Sequence, residues 1–480
     1  MTFYIEHLAV ALLIGAGLFV SVCFLFSRYR DTVDRIAAKR WIYIVLFLLM
    51  AVGLFAFVKA MAIRPFNDSG TVWFSVADIV ETGTVSTDID EYTACGWSTN
   101  TSNHDYFLIY PNSRFMVSFL LPFGFFLGRV LGIDLRSDTA YACLGILNSC
   151  FILLGIGSAV LAAKREKGDR AALLMLVGSL LFLPYYLNAY KLYSDPMSMT
   201  FVGLTIWLTI EADHAQKKTC LLRLLAGLSA GIGILLKGSV LILTVAAVIY
   251  LAVRLDTWRK RGKEIGCVLL GVLLVTQAWA IRSEDLPWLD TSRSDRYELP
   301  FMHWVMMASH KDGGFVQEDL DYSLSFETLT EKKAATKDRY IRNVKEQGLV
   351  GYMKFIVVKT VNTFSDGMYS QQDHLDQFRE RAIGRWISSD GPYLVCVKLY
   401  TSVALGFLYL AVVVSAILGS RRKTGAPLFF HICMFGLILF FALWESKSRY
   451  LFNFTPVFLL TAALTIDELS ELIRKHRSRA

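Results

Sequence analysis

Apolar runs close to twenty residues long recur from one end of this chain to the other, and they constrain its fold more than any motif does. A bilayer core about 30 Å thick is crossed by about 20 residues at about 1.5 Å of helical rise each. With 54% of its 480 residues hydrophobic, the chain reads as an all-α polytopic membrane protein. The runs at 7–27, 41–63, 138–162, 171–188, 197–212, 222–236, 238–253, 266–282, 394–419, 427–444 and 452–468 predict about 11 transmembrane helices. Those between 197 and 253 are short and rely on tilt or bilayer thinning. Met1 to His7 carries no basic region, so the first run reads as an anchor rather than a cleaved signal.

Charge gives the predicted sidedness. The net charge of +8 does not point to nucleic acid, because the basic residues stand in short clusters beside apolar spans. Six clusters do so: Arg28, Arg30, Arg35, Lys39 and Arg40; Lys164, Arg165, Lys167 and Arg170; Lys217, Lys218 and Arg223; Arg254, Arg259, Lys260, Arg261 and Lys263; Arg421, Arg422 and Lys423; and Arg474, Lys475, Arg477 and Arg479. With eleven spans all six face the cytoplasm, C-terminus included. The count requires that Arg114–Leu131, with Pro122, Gly124 and Gly128 inside it, lies on or dips into the outer leaflet without crossing.

Two large extracytoplasmic loops with juxtamembrane helices follow. Pro65–Ser113 has no lysine or arginine but carries Asp68, Asp78, Glu81, Asp88, Asp90, Glu91 and Asp105. Ser283–Tyr393 contains amphipathic stretches such as Phe326–Gly348, which suit a small soluble subdomain. Most of the eight cysteines fall in apolar segments and only Cys95 clearly lies in an outer loop, which excludes an extracellular disulfide framework. No Cys/His spacing marks a metal site.

Ionisable groups beside a membrane are costly, on the order of 2.5–3.5 kcal/mol each at mid-depth. Here they gather on the predicted outer side: Asp68 after the second span, Asp195 in Tyr193-Ser194-Asp195-Pro196, Lys237 in Leu236-Lys237-Gly238-Ser239, and Glu445, Lys447, Arg449 and Tyr450 between the last two spans. Each has a plainer reading. Asp68 suits an N-cap in Asn67-Asp68-Ser69, and Asp195 caps well before a proline at the first helical position. Lys237 can snorkel, and Arg449 can anchor at the interface beside Tyr450. Their convergence on one side is what favours a site.

At these residues the chain resembles the GT-C superfamily of polytopic glycosyltransferases, which use polyprenyl-phosphate-linked sugars. The resemblance rests on Asn67-Asp68-Ser69-Gly70, the helix-like Val72–Glu81, Tyr110-Pro111-Asn112-Ser113-Arg114, Tyr193-Ser194-Asp195-Pro196 and Lys237-Gly238. Further stretches look like a bacterial, mainly Gram-positive branch: Leu299–Met307 with His303, Lys359, Phe364-Ser365-Asp366-Gly367 and Trp444–Leu451. The chain departs from the superfamily in having Asn67-Asp68 in place of paired acids and no second proline after Tyr110-Pro111.

The resemblance covers about 45–470. It implies an extra N-terminal helix and inner loop at 1–40 and a transmembrane core at 41–282 with a first outer loop at 65–136. An outer-loop subdomain at 283–393 and terminal helices with a basic tail at 394–480 complete the division. It implies a multi-pass protein of the bacterial plasma membrane that transfers sugar from a polyprenyl-phosphate donor to an extracytoplasmic acceptor, with inversion. Asp68 would be the general base. Lys237 and Arg449, with Arg114 as a further candidate, would stabilise the phosphate. Asp195, Tyr193, His303, Tyr110 and Tyr450 would hold sugar or acceptor, and Glu445 would orient Arg449. No cofactor is implied; a metal-independent reaction is favoured, with a divalent metal left open. A lipid-linked-sugar flippase is the chief rival, though the helix centres are nearly charge-free and no internal repeat is visible. A non-catalytic scaffold of the same architecture is the other.

Overall fold

The computed structural model describes residues 2–87, 102–369, 375–419 and 425–477. Asp88, Asp90, Glu91 and Cys95 of the first loop, Arg421, Arg422 and Lys423 of the fifth basic cluster, and Arg479 lie outside the described residues. The described chain is helical and forms no strand.

Eight helices among the described residues are long and apolar enough to cross a membrane: Ala9–Arg28, Arg40–Met61, Asn112–Val130, Asp138–Lys167, Thr219–Leu236, Trp258–Ser283, Leu394–Gly419 and Ala426–Leu443. Length and composition thus mark eight rather than the eleven expected, and they include Asn112–Val130, the segment that the charge pattern had kept out of the count. Gly238–Arg254 is apolar but shorter. The run at 171–188 is divided into Asp169–Leu181 and Leu183–Leu187, where Pro184 has no N–H to continue the ladder. Ser194–His214 and Thr455–Arg477 are long but more polar. Every position from Thr455 to Asp467 is nonetheless buried, so this helix lies in the middle of the bundle.

Close approach replaces large side chains at two crossings. A Cβ on Gly203 would meet the Gly155 carbonyl oxygen at 2.5 Å, so Ser194–His214 and Asp138–Lys167 touch backbone to backbone. A Cβ on Gly15 would similarly meet the Val403 carbonyl oxygen at 2.5 Å, seating the N-terminal helix on Leu394–Gly419.

The connectors sort themselves into two ends. At one end, Arg170 reaches Asp34 at 2.6 Å and Asp467 at 2.8 Å, while Arg30 lies 3.9 Å from Asp467. Asp213 accepts from Arg223 and from Arg254, and Arg223 also reaches Glu264 at 3.0 Å. His214 meets Glu166 at 3.2 Å, and Glu166 accepts from the Ala426 amide at 3.4 Å. Five of the six basic clusters meet here, and Ala426 brings the helix that follows the fifth.

At the other end, Asn67–Thr82 and Asn112–Phe125 lie side by side, and a Cβ on Gly124 would meet Val76. Five residues of π-helix, Phe126–Val130, extend the second of these. Arg129 there donates to the Val80 carbonyl at 2.5 Å, and Trp73 donates to the Leu135 carbonyl at 2.8 Å. Arg136 then pairs with Asp78 and Glu81 at 2.5 Å just before Asp138–Lys167 begins. The C-terminal end of Asn112–Val130 and the loop after it are therefore tied to Asn67–Thr82.

Leu329–Ser365 changes character at Gly348, whose φ of 64° breaks the helix. Beyond the break, Lys359 donates to the carbonyls of Ala308 (2.9 Å) and Ala442 (3.5 Å). Thr363 donates to Ser446 at 3.0 Å and Ser448 to Asp366 at 2.6 Å. These bonds fix the turn from Trp444 to Tyr450 against the long loop.

Candidate active site

Asp68 occupies the first turn of Asn67–Thr82, but it does not cap that helix. The cap residue is Phe66, with no side-chain capping bond, and Asn67 takes a positive φ of 51°, a conformation asparagine tolerates better than most residues. The Asp68 carboxylate turns to two partners instead: the Tyr106 hydroxyl donates to it at 3.2 Å and the Arg449 guanidinium lies 3.6 Å away. Tyr106 belongs to Asn103–Ile109, whose N-cap Ser102 accepts from the Asp105 amide.

Asp195 likewise opens Ser194–His214 without capping it. It pairs with Lys237 at 2.8 Å, across from the turn that ends Thr219–Leu236. Burial pulls the Lys237 pKa down, and the Asp195 charge opposes the shift. The Lys237 ammonium stands 4.1 Å from the centroid of the Tyr450 ring. Arg449 lies 5.2 Å from that same ring and 5.9 Å from Tyr193. Tyr450 donates to Glu445 at 2.8 Å. Arg449 Nε is buried with no hydrogen-bond partner among the described residues.

Asp68, Tyr193, Asp195, Lys237, Glu445, Arg449 and Tyr450 therefore stand together, brought from four separate parts of the chain. Tyr110 borders them through its ring contact with Tyr106 at 4.9 Å. An aromatic wall continues from Tyr110 to Trp304 at 5.9 Å and on to Trp444 at 6.3 Å.

Two expected site residues are not brought in. His303 is fully buried in the long loop, pairs with Ser323 at 2.7 Å, and burial pushes its pKa down to about 4. Only its neighbour Trp304 reaches the aromatic wall. Arg114 is turned to the Phe107 carbonyl at 2.8 Å, where its guanidinium serves loop structure.

Two residues were missed. Tyr106 holds Asp68, and nothing in Asp105-Tyr106-Phe107 separates it from other loop aromatics. Lys191, in Tyr190-Lys191-Leu192-Tyr193, faces the charges of Arg449, Asp68 and Asp195. A lone cation four residues before Asp195 in an aromatic run was its available signal. Among the described residues no group of three or more His, Cys, Asp or Glu stands together as a metal site would need.

An all-helical bundle with eight membrane-length helices among its described residues and a charged cluster at one end defines an integral membrane protein. A family described as conserved hypothetical integral membrane protein matches residues 140–470, and the chain belongs to it. No curated protein matches the chain. Among solved structures, the chain is similar to the apo oligosaccharyltransferase of Archaeoglobus fulgidus, with a TM-score of 0.49 and 12% identity over 92% of this chain and 52% of that one. It is also similar to ArnT from Cupriavidus metallidurans bound to undecaprenyl phosphate, with a TM-score of 0.36 and 14% identity over 89% and 78% of the two chains. The chain spans about half the length of the oligosaccharyltransferase chains it matches.

Proposed function

We propose that this protein is a GT-C-type glycosyltransferase of the bacterial plasma membrane. It moves a sugar from a polyprenyl-phosphate donor to an extracytoplasmic acceptor, with the Asp68 end of the bundle on the outer side and the basic end and C-terminus in the cytoplasm. The observation that carries this reading is the Asp68 carboxylate set between the Tyr106 hydroxyl and Arg449, beside the Asp195–Lys237 pair. The sequence motifs that resemble the superfamily fall on Asp68, Asp195, Lys237 and Arg449.

In the proposed step, an acceptor hydroxyl oxygen attacks the anomeric carbon and Asp68 takes its proton. The bond from that carbon to the phosphate oxygen breaks, and the lipid phosphate leaves with the electron pair. Attack opposite the leaving group inverts the centre. Arg449 stabilises the developing phosphate charge through its planar fork, and Glu445 orients the turn through Tyr450. Tyr193, Asp195 and Tyr110 position the sugar. Lys237 contributes through its pairing with Asp195. A metal-independent step fits a site where a guanidinium and two ammonium groups occupy the space around the two carboxylates.

The test is lipid analysis of a deletion strain. Accumulated polyprenyl-phosphate sugar on the outer leaflet, together with loss of a surface glycan, is the expected result. Accumulation confined to the inner leaflet would instead identify a flippase.

A further inference from the structure

The two halves of Leu329–Ser365 differ sharply in chemistry on either side of the break at Gly348. Nine of the nineteen residues 329–347 are charged, whereas 349–365 carries only Lys354 and Lys359. Lys359 and Thr363 are buried and turn inward, the lysine to the carbonyls of Ala308 and Ala442 and the threonine to Ser446. Four residues apart, they mark the helix face that packs against the protein. The other face is apolar and open: Leu349, Val350, Met353, Val357, Val358 and Val361 are 42–79% exposed. Their spacing is that of one helical stripe. The second half-helix is therefore amphipathic inside out, with its polar groups toward the protein and its large aliphatic ones away from it. Single exposed aliphatics are ordinary on a protein surface, but a contiguous stripe of six marks a contact with something apolar.

The surroundings say what that is. Lys359 bonds at the end of Ala426–Leu443, one of the membrane-length helices, where Phe435, Ile438, Leu439 and Leu443 are themselves exposed. Phe301 is exposed at the same junction, its ring 4.9 Å from that of Trp444. The open stripe thus adjoins the apolar surface of a span. Residues 349–365 are not among the membrane-length helices. At about 1.5 Å per residue the segment is about 25 Å long, short of a crossing. A short helix with one apolar face instead lies along the boundary between lipid and water. Lys354 is exposed on this half-helix, and its long stem lets the ammonium rise to the headgroups while its carbons stay in the lipid.

We propose that residues 349–365 form a membrane-inserted helix of the long loop. Leu349, Val350, Met353, Val357, Val358 and Val361 lie among the acyl chains of the leaflet at the Asp68 end of the bundle, with Lys354 at headgroup level. The partner is the lipid surface itself. Because Thr363 bonds to Ser446 and Asp366 to Ser448, the same helix ties the turn that carries Arg449 to the bilayer. Only the first half of Leu329–Ser365 then belongs to an aqueous subdomain. The proposal does not depend on sugar transfer, since a flippase or a scaffold would hold the same helix in the same way.

The experiment uses the full chain in nanodiscs of phosphatidylcholine and phosphatidylglycerol. A nitroxide is attached through p-acetylphenylalanine, which spares the native cysteines, placed singly at Val350, Met353, Val357 or Val361 and, before the break, at Arg342 or Lys345. Power-saturation EPR then compares collision with oxygen, which concentrates in lipid, and with a nickel chelate, which stays in water. Oxygen accessibility should exceed nickel accessibility several-fold at the four aliphatic positions, and the order should reverse at Arg342 and Lys345. All six sites are half-exposed or more on the protein or close to it, so the labelled chains should keep the wild-type melting temperature. Nickel access at the four positions equal to that at Arg342 would overturn the proposal by placing the stripe in water. Low access to both reagents, with dipolar broadening between labels, would overturn it in favour of a second copy of this chain covering the stripe.

Discussion

Arg449 stands 3.6 Å from Asp68, joining the turn after Ala426–Leu443 to the first turn of Asn67–Thr82 near the other end of the chain. Each partner is also fixed from elsewhere: Asp68 by the Tyr106 hydroxyl, Arg449 by the faces of Tyr193 and Tyr450. The long loop holds the arginine turn through Lys359, Thr363 and Asp366. A base and a phosphate contact arranged before substrate arrives incur little reorganisation cost during the reaction.

Arg449→Lys keeps the charge but loses the planar fork and part of the stacking on two tyrosines. Transfer should fall about 10²–10³-fold, the range seen when one preorganised donor to a developing charge is removed. Steady-state rates of purified protein with intact thermal stability check this.

The Asp195–Lys237 pair is enclosed, its side chains 7% and 17% exposed. Removing one partner leaves the other charge buried and unpaired, so Lys237→Met alone should cost about 3–5 kcal/mol of stability. The double variant Asp195→Leu/Lys237→Met should recover most of that loss. Unfolding midpoints of the two singles and the double in detergent give the coupling directly.

Lys359 provides a pH prediction. Burial pushes its pKa down from 10.5 to about 8, opposed by Glu445. Between those values the unfolded chain binds a proton that the folded protein does not, so stability rises with pH across this window. The contribution is about 3 kcal/mol at most. Unfolding free energies of the wild type and Lys359→Met, measured from pH about 7.5 to about 10, should show that rise in the wild type and lose it in the variant.

Trp304 bridges Tyr110 and Trp444 at the edge of the cluster. If this wall stacks on sugar, Trp304→Ala should raise KM about 3–10-fold with kcat nearly unchanged, matching the modest energy of one aromatic contact. An equal fall in kcat would assign the tryptophan to the structure of the long loop.

Much of this arrangement was legible because charge and length are local properties of sequence. Basic clusters far apart in the chain meet through Arg30, Arg170 and Asp467 at one end, and Asp68, Asp195 and Arg449 meet at the other. The expected sidedness rested on a count of eleven spans, whereas length and composition mark eight helices among the described residues. The missing parts depend on which way a side chain turns. His303 and Lys191 both stand in largely apolar runs, and only packing sends one into the loop core and the other into a cleft. Asp68 and Asp195 both match cap patterns, yet tertiary partners hold them instead. The path of Asn112–Val130 is hidden for a related reason: its composition suits a span, whereas its ties to Val80 and to the loop before Asp138 are long-range.

Asp68→Asn is the most direct test of the central claim, read as sugar transfer by purified protein from its polyprenyl-phosphate donor. The account predicts a loss of about 10²–10⁴-fold, the share a positioned base supplies, with an unchanged melting temperature. Turnover at the wild-type rate would contradict it.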